Sequence, residues 1–199
     1  MLVTAPAPGK LLLLGDHAVV HNRPCLVTAV DLRYHVTVEP QQAPEIEIST
    51  QQLPHAHQIP LSAPDSGFRK ETAFVHGAVS TVYRNYGIKS GLRISTEGPA
   101  LSYGLGSSSA ITVATTAAIL HLFGLQVTPR EVFDLAYAAV SNVQGVGSGF
   151  DVAAAVYGGT LYYLTGGARI EPLTVPRLPI IIGYSGSKVG TTNLGYMVG

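Results

Sequence analysis

The sequence predicts an α+β fold, and three observations on its 199 residues carry that prediction. Runs rich in β-branched and aromatic residues cluster before and after a central group of helical segments, an order that does not fit regular βαβ winding. The helical segments place apolar residues at three- and four-residue spacing and stop at glycines. A loop of glycines and serines stands where a strand-like run passes into the most apolar helix, and no internal repeat is visible.

Leu2 to Thr4 and Lys10 to Leu14 read as separate strands, because Pro6 and Pro8 between them lack the donors that a continuous central strand needs. Cys25 to Val30 and Tyr34 to Glu39 are two more, the second alternating as a half-exposed strand does, and Glu45 to Ser49 is a fifth. Gln51 to Gly67 is rich in Pro, Gln, His and Ser without a sustained period, so it reads as a long surface loop. His55 and His57 lie in it; a metal site there is the lesser alternative to plain solvation, and they are assigned no chemistry.

Glu71 to Tyr86 carries Ala73, Phe74, Ala78, Val79, Val82 and Tyr83 at helical spacing, with Gly87 as the stop. Leu92 to Thr96 is a strand feeding the serine loop, and Ser107 to Phe123 is a buried helix ended by Gly124. In Thr128-Pro129-Arg130-Glu131 a threonine cap, a proline at the first helical position and a glutamate three residues after the cap start another helix, expected to run to about Val143. A second glycine loop, Gln144 to Gly149, follows. Thr160 to Leu164, Arg169 to Leu173 and Leu178 to Gly183 read as strands, the last a continuous buried run.

The formal charge is zero, which gives no reason to expect a nucleic-acid or acidic-membrane partner; a small neutral or anionic ligand suits the chain better. Charged residues make up 12% of the sequence, against about 25% in typical soluble domains. Either part of the surface is covered by another domain or subunit, or a thin shell of Ser, Thr and Gln serves instead. Cys25 is alone, so there is neither a disulfide framework nor a thiolate metal site. With no signal-like start and no apolar run of the ~20 residues that span a bilayer, a reducing, cytoplasmic setting is expected.

The chemistry centres on Gly104-Leu105-Gly106-Ser107-Ser108-Ser109. Glycines let a ligand approach bare backbone, and the unpaired N–H groups of the helix start that follows attract an anion. This suggests a phosphate cradle. An ordinary glycine turn capping a buried helix is the plainer reading, against which stand three adjacent hydroxyls where one cap needs only one. The loop has neither the Gly-Lys-Ser/Thr of a Walker A motif nor a GxGxxG.

The stretch from Ala7 to Val20, Ala-Pro-Gly-Lys-Leu-Leu-Leu-Leu-Gly-Asp-His-Ala-Val-Val, resembles the first motif of the GHMP kinases in the form that mevalonate kinases carry. Gly104 to Ala110 resembles that family's phosphate loop, and Gly149-Phe150-Asp151 follows the next helix in the expected order. The resemblance implies a domain like the second domain of ribosomal protein S5 over residues 1–199, with 180–199 leading into a further C-terminal domain. It implies ATP and Mg²⁺, with Gly104, Leu105, Gly106, Ser107, Ser108 and Ser109 binding the nucleotide and Ser108 offering its hydroxyl to the metal. Asp151 would be the base, Lys10 its partner, and Asp16, His17 and Ser148 contacts of the acceptor. That acceptor would be mevalonate, phosphorylated on its hydroxyl for isoprenoid-precursor synthesis. The plainer readings are that Asp151 caps the helix Val152 to Val156, that Lys10 and Asp16 form a surface ion pair, and that His17 is an ordinary histidine.

Three departures qualify the match. Val140 stands where mevalonate kinases carry a magnesium-binding glutamate, which leaves the ion to Ser108, the nucleotide and water. The loop Gln144 to Asp151 resembles phosphomevalonate kinase more closely, and Lys188 could then receive an acceptor phosphate. Nothing up to Gly199 matches the family's third motif, so the chain alone is expected to be weakly active and to expose an apolar face, with a homodimer as the alternative cover. A nucleotide-binding module without catalysis is the competing class. A serine hydrolase is disfavoured, since Gly183-Tyr184-Ser185-Gly186-Ser187 lacks the final glycine of a nucleophile elbow.

Overall fold

The computed structural model describes residues 1–63, 66–67, 69–99, 104–175 and 178–183. Its strands are β1 (Val3–Leu14), β2 (Cys25–Gln41), β3 (Glu45–Thr50), β4 (His57–Pro60), β5 (Gly91–Glu97), β6 (Thr160–Leu164) and β7 (Arg169–Leu173). The helices are α1 (Asp16–Val20), α2 (Ala73–Tyr86), α3 (Ser107–Leu122), α4 (Pro129–Gln144) and α5 (Phe150–Tyr157). One mixed sheet runs β4-β3-β5-β2-β6-β7, with β1 paired to the other side of β2. Only β3 and β5 are parallel; the remaining pairs are antiparallel.

The alternation in sequence becomes two unlike faces. Tyr34, Val36, Val38, Ile46, Ile48, Leu92 and Ile94 are buried, whereas Arg33, His35 and Arg93 between them point to water. On that open face Arg93 pairs with Glu39 at 2.8 Å and Glu47 at 3.2 Å. Each fully buried Ile or Leu contributes about 1.5–3 kcal/mol by leaving water. Helix α3 packs on β1 and β2 and also touches α2, α4 and α5, so it is surrounded. Its small and apolar residues suit that position, and Thr112 and Thr115 satisfy their hydroxyls on the Ser108 and Ile111 carbonyls of the turn before.

Four expectations are corrected. β1 is one strand through Pro6 and Pro8, because it pairs with β2 alone and its outer side needs no donors. β2 is likewise continuous from Cys25 to Gln41: Asp31 and Leu32 bulge out of the ladder between the pairs Gly9–Val30 and Pro8–Arg33. The segment after Gln51 contains β4, and His57 on it is buried with its Nδ1 2.7 Å from Thr72 Oγ1. Leu178 to Gly183 forms no strand, and Ile181 is wholly exposed, since no neighbouring strand offers it a ladder among the described residues. Helices α2 to α5 and the remaining strands stand within two residues of the positions read from the sequence, whereas the short helix α1 is not among the elements read there.

Candidate active site

β1 brings its proline-glycine segment against the front of α3. The Lys10 N–H donates to the Leu105 carbonyl at 2.8 Å, which fixes the glycine loop to the sheet. Gly106, the residue before α3, has φ +78°, and a Cβ there would lie 2.9 Å from Lys10 Cγ. The Lys10 side chain therefore runs along bare backbone. Its ammonium ends 5.2 Å from the centroid of the Phe150 ring, one residue before Asp151.

No side chain caps the first turn of α3, so the serines are not there for that purpose. Each has a different environment. Ser107 interacts with the hydroxyl of Tyr34 and partly offsets the rise that burial imposes on that phenol. Ser109 is 1% exposed and donates to Asp151 Oδ2 at 2.6 Å. Ser108 alone has a hydroxyl without a hydrogen bond among the described residues, although its carbonyl accepts from Thr112. The surplus of hydroxyls noted in the sequence is thus largely internal: two of the three have protein partners.

Asp151 lies in the first turn of α5 and is half-buried, with Oδ1 accepting from the Val152 N–H at 3.0 Å. Among the described residues its side-chain partner is Ser109, and it has no ion pair; Lys10 is a neighbour through Phe150 instead of a direct counter-ion. The fronts of α3 and α5 are joined at this point.

The second glycine loop is held by aromatic residues that sequence reasoning missed. Tyr163 donates to the Ser148 carbonyl at 2.5 Å and accepts from the Gly167 N–H at 2.9 Å. Tyr137 donates to the Gly147 carbonyl at 2.8 Å and stacks on Phe133, with ring centroids 5.6 Å apart. At Gly149, φ +84°, a Cβ would fall 2.7 Å from the Tyr137 ring and 2.8 Å from the Tyr163 hydroxyl. Only glycine can pass between the two rings. Nothing local marks Tyr163 for this role; it reads as an ordinary alternating strand residue.

Asp16 and His17 are both exposed on α1, and Asp16 forms no ion pair among the described residues, which removes the Lys10–Asp16 surface pair. α1 is anchored by buried Val19, whose carbonyl accepts from the Thr165 hydroxyl. Ser148 is half-buried, with its carbonyl turned to Tyr163. Val140 is 2% exposed and belongs to the hydrophobic core. No cluster of three or more His, Cys, Asp or Glu able to hold a metal occurs among the described residues. What this front does present is one unengaged hydroxyl and a carboxylate, oxygen donors that suit an ion keeping several waters, beside the N–H groups of a helix start, which suit phosphate oxygens. Cys25 is buried, and burial pushes its thiol up to about 11, which disfavours the thiolate. No helix is long and apolar enough to cross a membrane among the described residues. Leu101, Ser102, Tyr103, Ser185 and Lys188 lie outside the described residues.

Residues 73–159 match the family described as the GHMP kinases N terminal domain. Over that segment the chain is similar to the GHMP kinases. Among its relatives, the mevalonate kinase of Thermococcus sibiricus is 35% identical over 204 residues, covering 98% of this chain and 60% of that protein. The phosphomevalonate kinase of a Streptomyces species is 34% identical over 184 residues, covering 79% and 48%. The crystal structure of Methanococcus jannaschii mevalonate kinase superposes with a TM-score of 0.75 at 23% identity, over 88% of this chain and 56% of that one, a likeness of fold.

Proposed function

We propose that this chain is the phosphate-binding and catalytic portion of an ATP-dependent kinase whose acceptor is mevalonate. The observation that carries the reading is the joined front of α3 and α5: open N–H groups and the Ser108 hydroxyl lie on one side, Asp151 on the other, and Lys10 alongside. Phosphoryl transfer is mostly a matter of positioning and charge neutralisation, and those are the parts assembled here.

In this mechanism the γ-phosphate of ATP rests on the amides following Gly106. As the acceptor oxygen bonds to the γ-phosphorus, its proton passes to the Asp151 carboxylate; the bond to the β,γ-bridging oxygen breaks and ADP leaves. Lys10 offers positive charge to the transferring group. Ser108 Oγ would hold the Mg²⁺ that comes with the nucleotide, and that ion would supply further charge neutralisation. Asp16, His17 and Ser148 are assigned to the acceptor side. Residues 180–199 are assigned as the lead into a second domain, a reading supported by the greater length of the relatives and the exposed Ile181. The lone buried Cys25 accords with a cytoplasmic setting.

The match to mevalonate kinase spans more of the chain than the match to phosphomevalonate kinase, and this favours the unphosphorylated acceptor. The test is acceptor-dependent ADP release from Mg-ATP, measured side by side with mevalonate and its 5-phosphate, beside calorimetric titration of Mg-ATP. Turnover with mevalonate is expected. Consumption of the phosphate ester alone transfers the assignment to phosphomevalonate, and nucleotide binding without turnover on either acceptor, even with a C-terminal domain supplied, makes the chain a non-catalytic module.

A further inference from the structure

We propose that Ser109 is a positioning residue for Asp151, coupling the helix that receives phosphate to the helix that carries the base; the inference rests on the role given to Asp151 above. Ser109 is 1% exposed, so its hydroxyl does not face solvent. Its single proton is committed to Asp151 Oδ2 at 2.6 Å, within the short range of hydroxyl-to-carboxylate hydrogen bonds. Oδ1 meanwhile accepts from the Val152 N–H at 3.0 Å. With a donor on each oxygen the carboxylate has one orientation, and the two donors come from different helices.

The consequence is a division of labour among three adjacent serines. Ser108 keeps a hydroxyl for ligand; Ser109 spends its hydroxyl on the protein. An alanine at 109 would fill nearly the same volume, so its effect isolates the hydrogen bond. Ser109 touches neither reacting atom; it acts by fixing where Asp151 Oδ2 points when the acceptor arrives.

The test is a double-mutant cycle with Ser109→Ala and Asp151→Ala, read as acceptor-dependent ADP release and as thermal unfolding. Ser109→Ala is expected to lower kcat roughly 10-fold through misplacement of the base, with KM for Mg-ATP held within about twofold. In the Asp151→Ala background the second substitution should cost nothing further. Ser109→Cys, a weaker donor of similar size, should fall between serine and alanine. Equal losses in both backgrounds, or a rise in the KM for Mg-ATP with kcat unchanged, would show that Ser109 serves the phosphate loop or the fold generally and would overturn the proposal. Wild-type turnover by Asp151→Ala would instead defeat the base assignment of the preceding section. The melting temperatures then judge the pairing by themselves: less-than-additive losses support the Ser109–Asp151 link, and additive losses refute it.

Discussion

At the scale of single residues, the site is shaped by where a side chain is forbidden as much as by which one is present. Gly104 and Gly106 share nearly the same left-handed backbone, φ +73° and +78°. A Cβ at Gly104 meets nothing within 4 Å among the described residues, whereas at Gly106 it meets the Lys10 stem at 2.9 and 3.2 Å. Alanine at either position carries the strain of that backbone, about 1–2 kcal/mol. Gly106→Ala must also push Lys10 out of its track toward Phe150. Thermal denaturation of the two variants should therefore show a loss in both and a larger one for Gly106→Ala; equal losses would mean that the Lys10 track contributes nothing to stability.

At the scale of elements, α4 shows a local signal that survives intact. The Thr128 N–H donates to Glu131 Oε2 at 2.7 Å, and the Glu131 N–H donates back to Thr128 Oγ1 at 3.3 Å, the reciprocal pair expected of this tetrapeptide. The Thr128 N–H and then the Thr128 hydroxyl, both donating to Oε2, hold the Glu131 carboxyl below its ordinary range. Thr128→Ala should cost about 1 kcal/mol, seen as a fall in Tm of about 2–4 °C for a chain of this size. An unchanged Tm would mean that packing against α2 and α3 sets the start of α4 without the cap. The strands are less local in origin. Pro6 and Pro8 could be tolerated only because the far side of β1 is an edge, and nothing within residues 1–14 states which strand lies at an edge.

At the scale of the whole molecule, the sheet edge at β4 is fastened to α2 through His57. Its ring lies 2.7 Å from the Thr72 hydroxyl and meets the His76 ring edge-on at 6.4 Å between centroids. Burial, then the charges of Arg69 and His76, lower the pKa of His57 below the usual histidine value, outweighing a hydrogen bond with the backbone of Gly67. The unfolded chain therefore takes up this proton first as pH falls. Stability from the neutral ring is fully present above the unfolded pKa, about 6.5, and is lost as pH drops from there through the folded value. Unfolding followed by circular dichroism should show Tm falling from pH 7.5 to pH 5, and His57→Gln should flatten that fall. A variant as pH-sensitive as the wild type would place the dependence elsewhere.

The sequence by itself determined helices α2 to α5, the cap of α4, the glycine stops and the likeness to the GHMP kinases, because these depend on periodicity, on glycine and proline chemistry and on contiguous residues. It singled out Lys10, the serine loop and Asp151 as candidates, and folding brings these three close together. Tertiary structure decided what depends on neighbours far along the chain: that β1 and β2 are continuous, that His57 is buried, that Leu178 to Gly183 pairs with nothing described, and that Val140 is core. It also decided how the serines divide and which rings hold the loop before Asp151. A hydroxyl or a proline has the same local propensities wherever it stands; its role is fixed by the partner that folding brings, and Ser109 meets Asp151 across 42 residues.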